Sequence, residues 1–293
     1  MWLDREAPEL GRPNITASPY LRFDETLWND LLEDVAKAGV NVLVIDLGEG
    51  VNYALHPELA VEGSWSTEKL RKELAKIREY GLEPIPKLNF SATHDAWLGE
   101  YSRMVSTPTY YKVCRDLIRE VVDLFDNPRF FHLGMDEESA EHQRHHAYVV
   151  IRQYDQWWDD LLFLVNEVEQ QGARAWIWSD YVWNNPDAFF ERMPRSVIQS
   201  NWYYGSKFDR TDTPVKAYIE LEKHGFQQIP TGSNWSCDNN FEGTVQFAKQ
   251  HISPQNLLGF LQTVWHPTLE IYRQKHLDAI RQLAQAKEKH YCS

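Results

Sequence analysis

A run of carboxylates follows a short apolar segment near the middle of the chain. Residues 130–138 read FFHLGMDEE, so a buried-strand pattern ends in a glycine and three acids. Acids directly after an apolar strand are tolerated where the strand emerges into solvent or a pocket. Successive residues leaving a strand point to opposite sides, so Asp136 and Glu137 are expected to touch different parts of one ligand. Two carboxylates in different environments are the usual catalytic groups for cleaving a glycosidic bond.

Helix-like and strand-like segments alternate along almost the whole chain, and they must position these acids. Most helix-like stretches end before a glycine or a turn and are followed by an apolar, strand-like run. The expected helices cover residues 26–38, 67–80, 109–125, 154–171, 186–192, 214–224, 241–251 and 268–289. The expected strands cover residues 13–17, 40–47, 84–90, 130–134, 173–178, 197–202, 226–230 and 257–264. This alternation predicts an α/β fold, a single (β/α)8 TIM barrel.

A doubly wound open sheet is the alternative architecture. No GxGxxG motif follows an early strand and no GxxxxGK[ST] motif occurs, so the phosphate-binding loops of nucleotide-binding sheets are missing from the sequence. No linker, low-complexity stretch or repeat calls for a second domain. We therefore expect one catalytic barrel over residues 1–293, with its active site at the C-terminal ends of the strands.

Composition narrows the class of partner. The chain has 30 Lys and Arg against 43 Asp and Glu, a formal net charge of -13, which disfavours nucleic acid. No apolar run approaches the ~20 residues that cross a bilayer, and the first residues lack the apolar core of a signal peptide. We therefore expect no membrane partner and a cytoplasmic location. The widely spaced Cys114, Cys237 and Cys292 indicate neither a disulfide framework nor a structural zinc site.

The residues at the expected strand ends form an acidic and aromatic rim. It has no Gly-rich loop or basic cluster for phosphate. Aromatic faces with carboxylates and amides favour a carbohydrate, because a sugar offers C–H surfaces for stacking and hydroxyls for hydrogen bonding. The predicted substrate-binding residues are Asp46, Glu49, Lys87, Asn89, His94, Trp178, Asp180, Asn201, Trp202, Trp235 and Trp265. As an alternative, Asp46 or Glu49 could pair with Lys87 as a buried ion pair.

Residues 132–137, HLGMDE, resemble the His-x-Gly-Gly-Asp-Glu signature of glycoside hydrolase family 20, the β-N-acetylhexosaminidases, where it also ends the fourth barrel strand. Residues 81–87, 197–202 and 259–265 are similar to the family's approach to its third strand and to its sixth and eighth strands. In that family the nucleophile is the substrate's own 2-acetamido oxygen. The resemblance implies that Asp136 orients and charge-stabilises the acetamido group as an oxazolinium forms. It also implies that Glu137 protonates the leaving oxygen and later activates water, with no cofactor and no metal.

This chemistry makes further demands on the site. An ionised neighbouring carboxylate and an apolar wall would raise the pKa of Glu137, as a general acid requires. Apolar walls around the acetamido methyl group could come from Trp178, Trp202 and Trp265. The candidate for a hydroxyl that hydrogen-bonds the acetamido oxygen is Tyr203, with Tyr204 as the alternative.

The sequence departs from the family's pattern where the family binds sugar hydroxyls. Residues 17–20, ASPY, lack the arginine that ends the family's first strand. His266 and Pro267 follow Trp265 where the family has an acid, and residues 233–236, SNWS, replace its Tyr-x-Asp. These differences predict altered recognition of the 3- and 4-hydroxyls. They favour a divergent β-N-acetylgalactosaminidase acting on a small oligosaccharide or glycoconjugate.

Two other functions fit parts of the pattern. A non-catalytic carbohydrate-binding barrel would keep the aromatic rim, and a metal-dependent barrel hydrolase would use His94, His132 and Asp136. Exposed tryptophans and negative charge would suit a homodimer. A further histidine cluster is interpreted as part of a solvated helix or loop and comprises His142, His145 and His146.

Overall fold

The computed structural model describes residues 4–7, 12–16, 18–144, 146 and 148–291, and only the backbone of the first two ranges. Residue contacts divide the chain into two compact units. The first comprises Met1–Arg22, Val42–Glu79 and Glu83–Ala175. The second comprises Phe23–Asn41, Tyr80–Leu82 and Trp176–Ser293. The expected single domain stays a prediction.

From α1 onward, helices and strands alternate along the chain much as the sequence predicts. The strands are β1 (Asp4–Ala7), β2 (Arg12–Thr16), β3 (Val42–Asp46), β4 (Glu83–Lys87), β5 (Phe130–His132), β6 (Arg174–Trp178), β7 (Ile198–Ser200), β8 (Thr231–Ser233) and β9 (Leu261–Thr263). The α-helices are α1 (Glu25–Lys37), α2 (Thr67–Glu79), α3 (Pro108–Leu124), α4 (Asp155–Gln170), α5 (Tyr181–Asn184), α6 (Pro186–Arg192), α7 (Thr213–Lys223), α8 (Asn240–His251) and α9 (Arg273–Tyr291). The predicted helices are confirmed, although α9 begins later than expected because a short 3-10 helix, Glu270–Tyr272, precedes it.

Local sequence explains where two of these helices begin. The Asp24 side chain accepts hydrogen bonds from the backbone N–H groups of Thr26 and Leu27 and so caps α1. Thr107 caps α3 in the same way, with Pro108 at the first helical position, where its missing N–H has no cost.

The first predicted strand, residues 13–17, differs in its pairing. Strand β2 covers residues 12–16 but pairs in antiparallel fashion with β1, while Ala17 lies outside the described residues. A connection this short can only join antiparallel neighbours, because a parallel pair needs a long crossover. Strand β1 has no counterpart among the predicted strands, so its pairing with β2 was not predicted.

Parallel strands form the centre of the first unit. Strands β3 and β4 pair in parallel along their whole length, and β4 pairs in parallel with β5. The backbone N–H of Arg174, at the start of β6, donates to the carbonyl of Arg129 at 2.9 Å. Leucine, valine and aromatic side chains of α2, α3 and α4 are buried in this unit. The C-terminal ends of β3, β4 and β5 therefore lie next to one another.

The second unit repeats the parallel pattern. Residues 176–178 of β6 pair with β7, and β8 pairs with β9. Single bridges from Gln228 to Gln199 and Leu257 replace the strand predicted over residues 226–230. Regular pairing begins only after Pro230, which has no N–H to donate to a ladder. The α/β class is thus confirmed, and the closed barrel remains a prediction.

Across the described part of the chain, no helix has the length and apolar character needed to cross a membrane.

Candidate active site

The segment after β5 has an unusual backbone. Gly134, Met135 and Glu137 have positive φ angles of 74°, 75° and 57°. For residues with a Cβ this conformation costs about 1–2 kcal/mol, and it persists only where the surroundings enforce it. The acids therefore follow a sharply folded turn, and the neighbouring contacts must stabilise it.

Asn89, just beyond β4, supplies several of those contacts. Its Oδ1 accepts from the backbone N–H groups of Ser91 at 3.0 Å and Met135 at 3.2 Å. Its Nδ2 donates to Asp136 Oδ1 at 2.8 Å. A Cβ built on Gly134 would lie 2.0 Å from Asn89 Oδ1. Gly134 is thus required both by its φ angle and by the approach of this amide.

Asp136 is buried and ionised. Its second oxygen, Oδ2, lies 3.3 Å from His94 Nε2. Burial opposes the charged carboxylate, but His94, Lys87 and the Asn89 amide outweigh it and hold the pKa of Asp136 well below its usual range. The group is therefore a carboxylate at neutral pH and can accept a hydrogen bond or face a positive charge.

Glu137 contacts two imidazoles. Its Oε2 lies 3.2 Å from His94 Nε2, and its Oε1 lies 3.4 Å from His142 Nε2. Its backbone carbonyl accepts from Thr93 Oγ1 at 2.7 Å and from the Ser139 N–H at 2.8 Å. The His142 contact was not predicted, because that histidine was interpreted as solvated. The only indication of this contact in the sequence is that His142 lies close to the acids along the chain.

The third acid, Glu138, has a structural role. Its carboxylate is buried and accepts from the Arg152 backbone N–H at 2.8 Å, from Arg152 Nε at 2.9 Å and from the Ala92 N–H at 3.1 Å. Arg152 also donates to Asp160 at 3.1 Å and to the Phe90 carbonyl at 2.8 Å. This buried cluster ties the segment that carries the acids to the segment after β4.

The ends of β3 and β4 carry an ion pair. Lys87 Nζ donates to Asp46 Oδ2. Burial opposes ionisation of Asp46, but the Lys87 charge lowers the pKa of that carboxyl. Glu49 is also buried, and burial raises its pKa. Among the described residues Glu49 Oε2 has no hydrogen-bond partner, whereas Asp46 accepts from Lys87 Nζ, so Asp46 is the acid of this ion pair.

His132 is neutral. Its Nδ1 accepts from the Gly134 N–H at 3.0 Å, which leaves the ring proton on Nε2. Burial, together with the Lys87 charge, lowers the pKa of His132 well below its ordinary value. The imidazole thus supports the turn after β5.

Within the described ranges, one group of side chains could hold a metal ion. His94, Asp136 and Glu137 each offer a ligand atom, and these atoms lie within 4.8 Å of one another. The predicted metal set of His94, His132 and Asp136 shares two members with this group, which contains Glu137 in place of His132.

The second unit contains an aromatic cluster. The rings of Trp178 and Trp265 are 5.6 Å apart, and those of Trp202 and Tyr204 stack at 5.1 Å. Trp265 Nε1 donates to the Tyr204 hydroxyl at 2.9 Å. Trp183, which the sequence analysis missed, lies 4.6 Å from Trp202. Three of the predicted tryptophans are therefore brought together with one tyrosine.

Tyr203 lies outside this cluster. Its hydroxyl donates to the Lys207 carbonyl at 2.7 Å, and its ring is 5.1 Å from that of Phe208. It packs against buried residues of α7 and α8. Tyr204, the alternative, is the tyrosine that contacts Trp202 and Trp265.

The remaining predicted residues have separate surroundings. Asn201 is buried, accepts from Trp183 Nε1 at 2.9 Å and donates to the Pro214 carbonyl at 2.7 Å. Asp180 directly precedes α5. Trp235 is exposed, with its ring 5.3 Å from that of His266.

Parallel strands alternating with helices, and an acid pair after one strand, define an α/β protein with a carboxylate site at a strand end. No family profile matches the sequence, and no curated protein resembles it in sequence. Solved structures of glycoside hydrolase family 20 β-N-acetylhexosaminidases do match it in structure, so the resemblance inferred from the HLGMDE motif is confirmed at the level of the fold.

The chitobiase of Flavobacterium johnsoniae has a TM-score of 0.62 and 15% identity, with 94% of this chain and 52% of that chain covered. The family 20 exo-β-N-acetylglucosaminidase of Vibrio harveyi has a TM-score of 0.61 and 11% identity, with 93% and 53% covered. Dispersin B has a TM-score of 0.59 and 14% identity, with 90% and 95% covered. The chain thus spans about half the length of the first two proteins.

Proposed function

We propose that this chain is a retaining exo-glycoside hydrolase that removes terminal β-linked N-acetylhexosamine, either N-acetylgalactosamine or N-acetylglucosamine. The observation that carries the proposal is the pair Asp136 and Glu137, which meet at one imidazole while Asp136 is kept ionised. The likeness of fold to β-N-acetylhexosaminidases supports it. Closure of the strands into a single (β/α)8 barrel is part of the same proposal.

In the proposed first step the acetamido oxygen of the substrate attacks the anomeric carbon. The bond from that carbon to the leaving oxygen breaks, and the Glu137 carboxyl gives its proton to that oxygen. The resulting oxazolinium ring carries a positive charge. Ionised Asp136 accepts a hydrogen bond from the acetamido N–H and stabilises this charge.

In the second step the Glu137 carboxylate takes a proton from water. The water oxygen attacks the anomeric carbon from the side that the leaving group left, and the bond to the acetamido oxygen breaks. Two inversions at one carbon give net retention. Glu137 ends the cycle protonated, as it began.

The aromatic residues named from the sequence remain proposed substrate-binding residues. It remains a prediction that the acetamido group is enclosed by Trp178, Trp202 and Trp265. For the hydroxyl that bonds the acetamido oxygen we favour Tyr204 over Tyr203, because the Tyr203 hydroxyl already donates to a backbone carbonyl within its own loop.

The test is release of p-nitrophenol from p-nitrophenyl β-N-acetylgalactosaminide and β-N-acetylglucosaminide, with and without a thiazoline inhibitor. We expect thiazoline-sensitive turnover, and the ratio of the two rates reports the preference at C4. Asp136→Asn and Glu137→Gln should each lower kcat/KM by about 10² to 10⁴. A protein that binds the thiazoline but turns over neither substrate is instead a carbohydrate-binding barrel. A protein that does neither overturns the proposal.

A metal-dependent hydrolase is the second candidate, because His94, Asp136 and Glu137 could together ligate one ion. Dialysis against a chelator separates the two mechanisms. Acetamido participation predicts full activity after dialysis. Loss of activity that added Zn²⁺ or Mn²⁺ restores would favour the metal-dependent reaction.

A further inference from the structure

The two oxygens of Glu137 have different imidazole partners. His94 Nε2 faces Oε2 at 3.2 Å, and His142 Nε2 faces Oε1 at 3.4 Å. The His94 side chain is 10% exposed, whereas that of His142 is 45% exposed. The second imidazole is thus the one that solvent reaches, and the proposed mechanism gives it no task.

Ser139 orients the His142 ring. The backbone N–H of His142 donates to Ser139 Oγ at 3.2 Å, and Ser139 Oγ lies 2.7 Å from His142 Nδ1. Because the oxygen already accepts this N–H, the hydroxyl proton is available for Nδ1. With Nδ1 as the acceptor, the neutral ring carries its proton on Nε2, the nitrogen that faces Glu137.

We propose that His142 is a positioning residue for Glu137. Its Nε2–H donates to Oε1, and the single Nε2–H of His94 donates to Asp136 Oδ2, so the acid proton of Glu137 is carried on Oε2. Such an arrangement removes the carboxyl rotation that would otherwise precede proton transfer. His142 gains and loses no proton in the cycle. The inference rests on the proposed function, since it assigns Glu137 the role of general acid.

A half-exposed contact of this length contributes little to stability, so a stability measurement does not test the proposal. The dependence of kcat on the leaving group does test it. A poor leaving group needs more protonation in the transition state than a good one, so a displaced acid slows poor substrates selectively. A merely structural defect slows both substrates alike.

The experiment compares a 2,4-dinitrophenyl and a methyl β-N-acetylhexosaminide, with the sugar that the protein prefers. In His142→Ala we expect kcat for the methyl glycoside to fall about tenfold, with little change for the dinitrophenyl glycoside and an unchanged KM for both. His142→Gln should recover most of the loss, because its amide N–H can take the place of Nε2–H. Ser139→Ala, which frees the ring, should give a smaller loss with the same selectivity.

Arg144→Ala is the matched control, since Arg144 lies on the same turn and pairs with the exposed Glu141. Equal losses for both leaving groups, no loss for either, or a Gln variant as slow as the Ala variant would overturn the proposal. Failure of the proposed function looks different. The unmodified protein would then show no thiazoline-sensitive turnover of either glycoside, and the role of His142 would fall with it.

Discussion

Replacement of Asn89 tests whether one buried amide holds the acid pair in place. Its Nδ2 donates to Asp136, and its Oδ1 accepts from the N–H groups of Ser91 and Met135. In Asn89→Ala all three partners lose their bond. A buried group without a partner costs about 1–3 kcal/mol, so the free energy of unfolding should fall by roughly 3–9 kcal/mol. That is a large part of the ~5–15 kcal/mol typical of a domain, and the variant should be poorly folded.

Asn89→Asp separates the electrostatic effect from the loss of structure. The aspartate retains an oxygen for both backbone N–H groups but replaces the donor with a second carboxylate facing Asp136. The lost donor should cost roughly 1–3 kcal/mol, and the like charge should raise the pKa of Asp136. Because the reaction needs Asp136 ionised, the acid limb of the kcat/KM profile should move to higher pH.

Urea unfolding measures the stability of each variant, and p-nitrophenyl glycoside turnover between pH 4 and 8 measures the profile. Asn52→Asp is the matched control, because Asn52 is exposed and lies in the same unit. An Asn89→Asp variant with the wild-type acid limb would refute the inference that this amide, together with His94 and Lys87, lowers the pKa of Asp136. An Asn89→Ala variant of wild-type stability would refute the hydrogen-bond argument.

Three further replacements test the surroundings of the acids. In Gly134→Ala the new Cβ would lie 2.0 Å from an amide oxygen, and φ is 74°. We therefore expect a loss of stability larger than the ~1–2 kcal/mol that the positive φ angle costs alone. Gly81→Ala is the control in thermal unfolding and should show only that cost, because φ is 76° and the Cβ would enter open space. The pKa of His132 is lowered in the folded protein, so below about pH 6.5 the His132 imidazole binds a proton only in the unfolded chain. The free energy of unfolding therefore falls as pH falls, by up to ~1.4 kcal/mol per pH unit. His132→Asn should flatten this slope in urea unfolding at pH 7 and 5.5, and unchanged slopes would contradict the assignment. Arg152→Met leaves the Glu138 carboxylate buried without its cationic partner, and should cost about 3–5 kcal/mol. Adding Glu138→Gln should restore part of that stability, and a double variant no more stable than the single one would argue against the ion pair.

The sequence predicts those features that depend on local pattern. Alternating periodicity gives the helices and most parallel strands, because burial of one helix face or of both strand faces leaves a period in the residues. The same logic brings Lys87, Asn89, His94, Asp136 and Glu137 together, since adjacent parallel strands end at the same edge. The acid pair is therefore predictable as a consequence of strand order.

Other features depend on contacts that leave no local pattern. Arg152 reaches Glu138 across a loop, and nothing near Arg152 in sequence marks it as buried. Tyr203 and Tyr204 differ by one position, and a single-residue difference decides which face of the chain a side chain takes. The β1–β2 pairing was missed for a similar reason, since neither strand shows a strong alternation. These details are decided by tertiary contacts.

The contrast between Glu137 and Glu138 affects how any experiment on this chain should be interpreted. The two acids are chemically identical neighbours, but the Glu137 side chain is 16% exposed and that of Glu138 is 3% exposed. An alanine scan scored only by activity would count both as essential. A carboxyl-directed covalent label should instead modify Glu137 first, because the Glu138 oxygens are enclosed by Arg152 and a backbone N–H. Peptide mapping after labelling would therefore identify the reactive acid when a mutational scan cannot.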